Sequence, residues 1–181
     1  MVFCDLRGFT AFAEAAEPPA VMAVLSEYHA ALGACVFEHK GTLERFVGDG
    51  IVVVFNDPMR QVDHSERAVR MAMAMCDRVE LLSERWRELG HDLGFGVGIA
   101  AGWATVGQIG FEGRLDYAVI GTVPNRAARL CAAAPSGHIL VDDEVLSRLP
   151  ASTAACALGE VELKGFRTGV RIHQILRASS T

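Results

Sequence analysis

The sequence predicts one α+β domain in which helices cover a β-sheet. Apolar residues recur at every third or fourth position over residues 21–36 and 65–89, which is the period of an amphipathic helix. Two apolar runs rich in β-branched residues, 42–47 and 51–55, are joined by a Gly-Asp-Gly sequence at 48–50, which is typical of a hairpin. A chain of 181 residues has the size of one domain with its own core.

In the first half of the chain, proline and glycine separate the predicted elements. Residues 1–5 form a short buried strand, and a turn at 7–10 leads into a helix. A Pro-Pro pair at 18–19 precedes the next helix, which Gly41 closes. Asn-Asp-Pro at 56–58 then ends the second strand of the hairpin.

In the second half, strands alternate with shorter helices. Gly90 stops the long helix over 65–89. The elements expected after it are strands at 93–104 and 108–120, a helix from 122 that ends before Pro135, a strand at 138–141, a helix at 142–149 capped by Asp142, and strands at 155–163 and 170–176.

Composition limits the classes of function. The net charge is −5, with 17 Lys and Arg against 22 Asp and Glu. No run of basic residues occurs, which argues against a nucleic-acid-binding face or an anionic-membrane anchor. The five cysteines are odd in number and form no Cys-x-x-Cys pair, so neither a disulfide framework nor a zinc site is expected. This use of cysteine indicates a reducing, cytoplasmic setting.

One uncharged stretch, residues 93–111, has the length of a membrane span. It contains six glycines, and large apolar residues alternate with glycine over 94–99, which indicates a strand instead. Asp5 and Arg7 interrupt the N-terminal apolar run, so no signal peptide is expected. The sequence therefore predicts no membrane segment.

Two aspartates stand where a metal ion could bind. Asp5 directly follows an apolar strand, and Asp49 lies at the hairpin tip between two glycines. Carboxylates held at strand ends suit a hard cation such as Mg²⁺, and two of them could share a pair of ions that supports displacement at phosphorus. Gly-Asp-Gly is also ordinary turn chemistry, so Asp49 as a plain turn residue stays an alternative.

Three further features suit a phosphorylated ligand, and each has a simpler interpretation. The glycine turn before Phe9 and Thr10 leads into a helix, whose free backbone N–H groups could bind a polyphosphate. Asn125 and Arg129 are four residues apart and share one helix face, where they could equally be an exposed polar pair. Lys164, beside a glycine near the C-terminus, is by itself ordinary solvated turn chemistry.

Five motifs, taken in their order along the chain, resemble those of the catalytic domain of the class III nucleotidyl cyclases. They are Phe3-Cys4-Asp5-Leu6-Arg7-Gly8-Phe9-Thr10, Gly41-Thr42-Leu43-Glu44-Arg45-Phe46-Val47-Gly48-Asp49-Gly50, Asp116-Tyr117-Ala118-Val119-Ile120-Gly121, Asn125-Arg126-Ala127-Ala128-Arg129-Leu130 and Leu163-Lys164-Gly165-Phe166. Each motif is weak alone. Together they cover nearly the whole chain with family-like spacing, and that combination is specific.

The resemblance implies a ferredoxin-like α+β domain with a mostly antiparallel sheet. It implies a head-to-tail homodimer with two active sites at the interface, and two divalent cations, Mg²⁺ or Mn²⁺, in each. The reaction implied is conversion of a nucleoside triphosphate to a 3′,5′-cyclic mononucleotide and pyrophosphate. We then expect residues 1–181 to be a single catalytic domain excised from a longer regulated protein.

The resemblance also assigns roles to individual residues. Asp5 and Asp49 match the metal ligands. Asn125 matches the residue that orients the ribose, Arg129 the one that stabilises the transition state, and Lys164 a triphosphate contact. The metal ligands would come from one subunit and the other three residues from its partner.

The sequence departs from the family pattern where the nucleobase is recognised. Arg45 stands where adenylate cyclases usually have Lys and guanylate cyclases Glu, and Ala118 where a second polar residue is common. Arginine donates hydrogen bonds and never accepts them, which argues against guanine and makes ATP the expected substrate. Glu44 is expected to point away from the base, because a strand turns consecutive side chains to opposite faces.

Two kinds of alternative remain open. A cyclase could prefer GTP or a pyrimidine nucleotide, because Arg45 could also donate to guanine or to a pyrimidine carbonyl. The second is another class of protein: a catalytically degenerate module that only binds a nucleotide or dimerises, or an unrelated α+β interaction domain. The intact residues Asp5, Asp49, Asn125, Arg129 and Lys164 argue against the degenerate module, whereas Arg45 and Ala118 leave it open. An unrelated interaction domain would need all five motifs to be coincidences.

Overall fold

The computed structural model describes residues 1–162 and 169–177. In chain order its elements are β1 (Val2–Arg7), α1 (Phe9–Ala15), α2 (Pro18–Glu38), β2 (Thr42–Val47), β3 (Gly50–Val54), α3 (His64–Glu88), β4 (Gly94–Ile99), β5 (Thr105–Phe111), β6 (Arg114–Ile120), α4 (Thr122–Ala133), β7 (Ile139–Asp142), α5 (Asp143–Leu146), β8 (Ala155–Val161) and β9 (Val170–Ile175).

Within residues 1–162 and 169–177, seven strands form the main sheet, in the order β2-β3-β1-β4-β7-β9-β8. Of the strand pairs described in this sheet, only β4–β7 is parallel. Strands β5 and β6 form a separate two-stranded antiparallel hairpin. The predicted α+β architecture, with a mostly antiparallel sheet covered by helices, is therefore confirmed.

The two faces of the sheet pack against different helices. Alternate side chains of β1, from Val2 to Leu6, belong to the larger core with α2 and α3. Phe3, between them, packs against a smaller core that α4 covers. Because side chains alternate along a strand, Asp5 and Arg7 lie on the α4 face.

Strand β4 has glycine at alternate positions on its α4 face. A Cβ at Gly98 would overlap the Cys131 nitrogen and the Ala127 carbonyl oxygen of α4. The opposite face of β4 carries large side chains, such as Val97, that belong to the larger core. The glycines therefore allow α4 to approach the sheet, as the alternation of glycine with apolar residues indicates.

The prediction of two strands over 93–104 and 108–120 is wrong. Strand β4 ends at Ile99, and the remainder is the β5–β6 hairpin with a turn at Glu112 and Gly113. Gly113 has a φ of 89°, which favours glycine. Every residue of β5 is exposed, so the hairpin lacks the buried face whose period would have shown two strands.

Helix α2 is the one helix among the described residues that is long and apolar enough to cross a membrane by length and composition. In this fold it packs against α3 and buries Tyr28, Leu32 and Cys35 in the larger core. The stretch that resembled a membrane span, 93–111, forms strands as expected. The absence of a membrane segment stays a prediction.

Candidate active site

The β2–β3 hairpin brings Asp49 next to Asp5. Gly48, with a φ of 63°, turns the chain before Asp49. The backbone nitrogen of Leu6 donates to Asp49 Oδ2 at 3.1 Å, which holds the hairpin tip against the end of β1. Gly50 allows this approach, since a Cβ there would lie 3.3 Å from Asp5 Oδ1.

The paired carboxylates are electrostatically strained. Burial, a hydrogen bond with Asp49 and the charge of Asp49 raise the pKa of Asp5 to about 7, while nearby Arg7 opposes the shift. The Arg7 Nη1 atom is 3.7 Å from Asp5 Oδ2. A divalent cation would relieve this repulsion, so the donor set fits a hard metal ion.

The aspartate pair would need other ligands to complete a metal shell. No cluster of three or more His, Cys, Asp or Glu side chains able to hold a metal occurs within residues 1–162 and 169–177. Mg²⁺ is commonly bound through one or two carboxylates together with water and substrate phosphates. Asp5 and Asp49 therefore suit ions that bind together with a polyphosphate.

Helix α4 presents Asn125 and Arg129 to solvent. Both are exposed, and they lie one turn apart on the same face. Asn125 Nδ2 donates to the Gly121 carbonyl oxygen at 3.4 Å. Within the described part of the chain, no hydrogen bond or ion pair joins either residue to Asp5 or Asp49. One chain thus assembles the aspartate pair and the Asn–Arg pair as two separate groups.

The glycine turn predicted before the first helix is present, and its proposed binding of a polyphosphate stays a prediction. Gly8, with a φ of 82°, precedes α1, and Phe9 and Thr10 are its first residues. Amides in the first turn of a helix have no partner within the helix. The Phe9 ring lies 6.0 Å from that of Phe12, and Thr10 is exposed. Lys164 lies outside the described residues.

The expectation that Glu44 and Arg45 point to opposite faces is wrong. Arg45 Nε donates to Glu44 Oε2 at 2.6 Å, so the two consecutive side chains lie together. The register of β2 against β3 shifts between Leu43 and Arg45, which places Glu44 in a β-bulge. A bulge adds one residue to a strand and locally breaks the alternation of side chains. The sequence carries no glycine at this point that would have indicated it.

The second nucleobase position, Ala118, is 1% exposed and pairs with Gly107 in the β5–β6 ladder. Its neighbour Tyr117 points to the other face of the hairpin, where its hydroxyl donates to Asp57 Oδ2 at 2.5 Å. That hydrogen bond ties β6 to the loop after β3. Sequence reasoning missed Tyr117, since a lone tyrosine in a strand gives no distinctive signal.

Comparison with known proteins identifies the family of this domain. The family model for the adenylate and guanylate cyclase catalytic domain matches residues 1–177. The chain belongs to this family. Its fold is closely similar to the adenylyl cyclase CyaB from P. aeruginosa, with a TM-score of 0.94 and 33% identity over 99% of this chain and 93% of that one.

The domain is similar both to adenylyl cyclases and to a guanylyl cyclase. The guanylyl cyclase Cya2 matches with a TM-score of 0.90 and 30% identity, over 99% of this chain and 91% of that one. Adenylate cyclase 1 of Rhizobium meliloti is 30% identical over 97% of this chain. The chain spans 27% of the length of that protein and 36% of the adenylate cyclase of Anabaena cylindrica.

Proposed function

We propose that this cyclase domain converts ATP to a 3′,5′-cyclic mononucleotide and pyrophosphate, as a homodimer with two divalent cations in each active site. The observation that carries the proposal is the Asp5–Asp49 pair, which the hydrogen bond from the Leu6 backbone nitrogen to Asp49 Oδ2 holds at the end of β1. Burial and the neighbouring Asp49 raise the pKa of Asp5, and bound cations would favour its charged form. Asp5 lies on the sheet face that α4 covers. In the homodimer, the exposed Asn125 and Arg129 of the second subunit supply the other half of the site.

Asp5 and Asp49 would hold two Mg²⁺ or Mn²⁺ ions together with the triphosphate. Bound there, such ions would supply charge neutralisation of the phosphates and would lower the pKa of the ribose 3′-hydroxyl, the nucleophile towards the α-phosphorus. The Leu6 backbone N–H keeps Asp49 at the end of β1, at 3.1 Å. The protein therefore contributes position and charge, which is what phosphoryl chemistry requires.

Asn125 and Arg129 complete the reaction geometry. The Asn125 amide orients the ribose by hydrogen bonds, so that the 3′-hydroxyl faces the α-phosphorus. The Arg129 guanidinium donates to the phosphoryl oxygens on which negative charge accumulates in the transition state. Arg129 is exposed and therefore available to a ligand. Lys164, outside the described residues, is proposed to contact the triphosphate.

A site shared between two subunits accounts for the separation of the two groups. Within one chain the side chain of Arg7 reaches from Asp5 towards α4, with Nε 3.0 Å from the Ala134 oxygen. Apolar side chains of β2 and the β5–β6 hairpin are exposed, as expected for a surface that a second copy covers. They include Phe46, Val47, Ile109, Phe111, Leu115 and Ile120.

ATP is proposed as the substrate because Arg45 offers only hydrogen-bond donors. The guanidinium can donate to adenine N1, whereas it cannot accept from guanine N1–H and the exocyclic amine. Overall similarity does not decide the base, since CyaB and Cya2 are 33% and 30% identical to this chain. The choice of base therefore depends on the few residues around Arg45.

Incubation with Mn²⁺ and each of ATP, GTP, CTP and UTP tests the proposal, with cyclic products identified by mass spectrometry. We expect cyclic AMP as the main product and no turnover in Asp5→Asn or Asp49→Asn. Asp92→Asn is the matched control, because that side chain is 91% exposed and its carboxylate lies 3.8 Å from Arg87 Nε. Nucleotide binding without a cyclic product from any of the four would instead indicate a degenerate binding module.

A further inference from the structure

The β-bulge in β2 changes which side chains of that strand lie on each face of the sheet. Leu43 and Phe46, three residues apart, both line the apolar cavity that α2 forms with β2. In a regular strand, residues three apart lie on opposite faces. Arg45 pairs with Val52 and lies on the other face, and the extra residue between Leu43 and Arg45 is Glu44.

Glu44 and Arg45 form a two-point ion pair on that second face. Arg45 Nε lies 2.6 Å from Glu44 Oε2, and Nη2 lies 2.5 Å from Oε1. The Glu44 side chain is only 3% exposed, whereas that of Arg45 is 50% exposed. The carboxylate is therefore covered and occupied, while one edge of the guanidinium remains open.

The pair lies on β2, which contacts β6, the strand that carries the second nucleobase position Ala118. Burial and the hydrogen bond with Asp57 raise the pKa of Tyr117, which directly precedes Ala118, and the charge of Glu44 adds a smaller contribution. The charge of Asp116, also in β6, acts on Arg45. The guanidinium is thus held close to β6, where Ala118 offers no polar side chain.

We propose that Glu44 is a positioning residue that orients Arg45 and thereby determines the nucleobase preference. The inference rests on the proposed function and deepens it. The pair uses the Nε–H and one Nη2–H of the guanidinium, which leaves three of its five N–H groups for a ligand. This open edge donates only, so it suits adenine N1 and leaves guanine N1–H without an acceptor.

Glu44→Gln tests the inference, since it keeps the size of the side chain and removes its charge. We expect the ATP-to-GTP ratio of kcat/KM to fall about 5- to 50-fold, because a guanidinium held by one weaker hydrogen bond is no longer oriented. Glu66→Gln is the matched control. It breaks the Glu66–Arg70 ion pair on α3, far along the chain from β2, and should leave the ratio unchanged.

A double variant separates positioning from a general structural effect. If Glu44 acts through Arg45, Glu44→Gln combined with Arg45→Ala should have the same ATP-to-GTP ratio as Arg45→Ala alone, within about twofold. If the effects of the two substitutions on the ATP-to-GTP ratio multiply in the double variant, the inference is overturned. It is also overturned if Arg45→Ala changes the ratio and Glu44→Gln does not. The charge exchange Glu44→Arg with Arg45→Glu should instead move the preference towards GTP.

Measurements of nucleotide binding at equilibrium test the role of Glu44 separately from the proposed reaction. Fluorescent methylanthraniloyl derivatives of ATP and GTP, titrated in Mn²⁺, report the preference whether or not the domain turns over. Absence of any cyclic product from the wild type would contradict the proposed reaction. A wild-type binding preference that Glu44→Gln leaves intact would contradict the role of Glu44, including where turnover is normal.

Discussion

Arg7 donates from Nε to the carbonyl oxygen of Ala134 at 3.0 Å, which ties β1 to the end of α4. Its Nη2 donates to the Cys131 carbonyl oxygen, and its Nη1 is 3.7 Å from Asp5 Oδ2. The guanidinium occupies space that a Cβ at Gly96 would fill. One side chain thus links the strand that carries a metal ligand to the helix that carries the Asn–Arg pair.

Arg7→Met should lower the free energy of unfolding by about 1–3 kcal/mol, because two carbonyl oxygens at the end of α4 lose their charged donor. The thioether keeps most of the apolar stem. Urea denaturation measures the change, and Arg70→Met, which removes an exposed arginine of α3, is the control. Equal effects of the two substitutions would show that Arg7 does not hold α4.

Removing either aspartate of the pair should abolish metal binding without unfolding the domain. Asn at position 49 can still accept from the Leu6 N–H, and Asp5→Asn removes one of two repelling charges. Mn²⁺ with a non-cleavable ATP analogue should raise the melting temperature of the wild type, because ligands stabilise the state that binds them.

Thermal unfolding with and without Mn²⁺ therefore separates binding from folding. Asp5→Asn and Asp49→Asn should melt no lower than the wild type in the absence of metal, and should gain little on its addition. The control Asp92→Asn should gain as much as the wild type. A full Mn²⁺-dependent shift in either site variant would exclude the shared metal site.

Mixing two inactive variants tests the site between subunits. Asp49→Asn and Arg129→Ala should each be inactive alone. Free exchange makes half of the dimers mixed, and each mixed dimer has one intact site of two, so activity should return to about a quarter of wild type. If subunit exchange is demonstrated and the mixture remains inactive, both groups act within one chain.

Most of the fold could be predicted because short stretches of sequence specify individual helices, strands and turns. The period of α3 and the Gly-Asp-Gly turn at 48–50 each specify one element, and both occur where expected. The two strands of the β5–β6 hairpin could not be distinguished in the sequence, because an exposed strand such as β5 has no buried face that would give a period of two. The Asp142 cap was predictable, and its side chain accepts from the Val145 nitrogen at 2.9 Å.

The site was predictable in its residues but less so in its geometry. Asp5 and Asp49 are 44 residues apart, and only the pairing of β1 with β3 brings them together. The bulge at Glu44 has no local signal, since it arises from how β2 registers against β3. Arg7 likewise gains its role from α4, more than 120 residues later in the chain.

The approach of α4 to the sheet depends on Gly98. A Cβ there would overlap the backbone of α4 at Cys131 and Ala127, and backbone atoms cannot rotate away as a side chain can. Methyl addition at such a contact displaces the helix, which carries the Asn–Arg pair. A displacement of about 1 Å in a catalytic group can cost about 100-fold in rate.

Gly98→Ala should therefore lower the free energy of unfolding by about 1–3 kcal/mol and reduce kcat by a larger factor than Arg7→Met does. Gly33→Ala is the matched control, since a Cβ at that position in α2 meets nothing within 4 Å. Alanine in a helix should stabilise the control by about 0.4–1 kcal/mol. Urea denaturation and initial rates with Mn²⁺ and ATP measure both variants. Gly98→Ala with wild-type stability and rate would show that α4 can move away without disturbing the residues it presents.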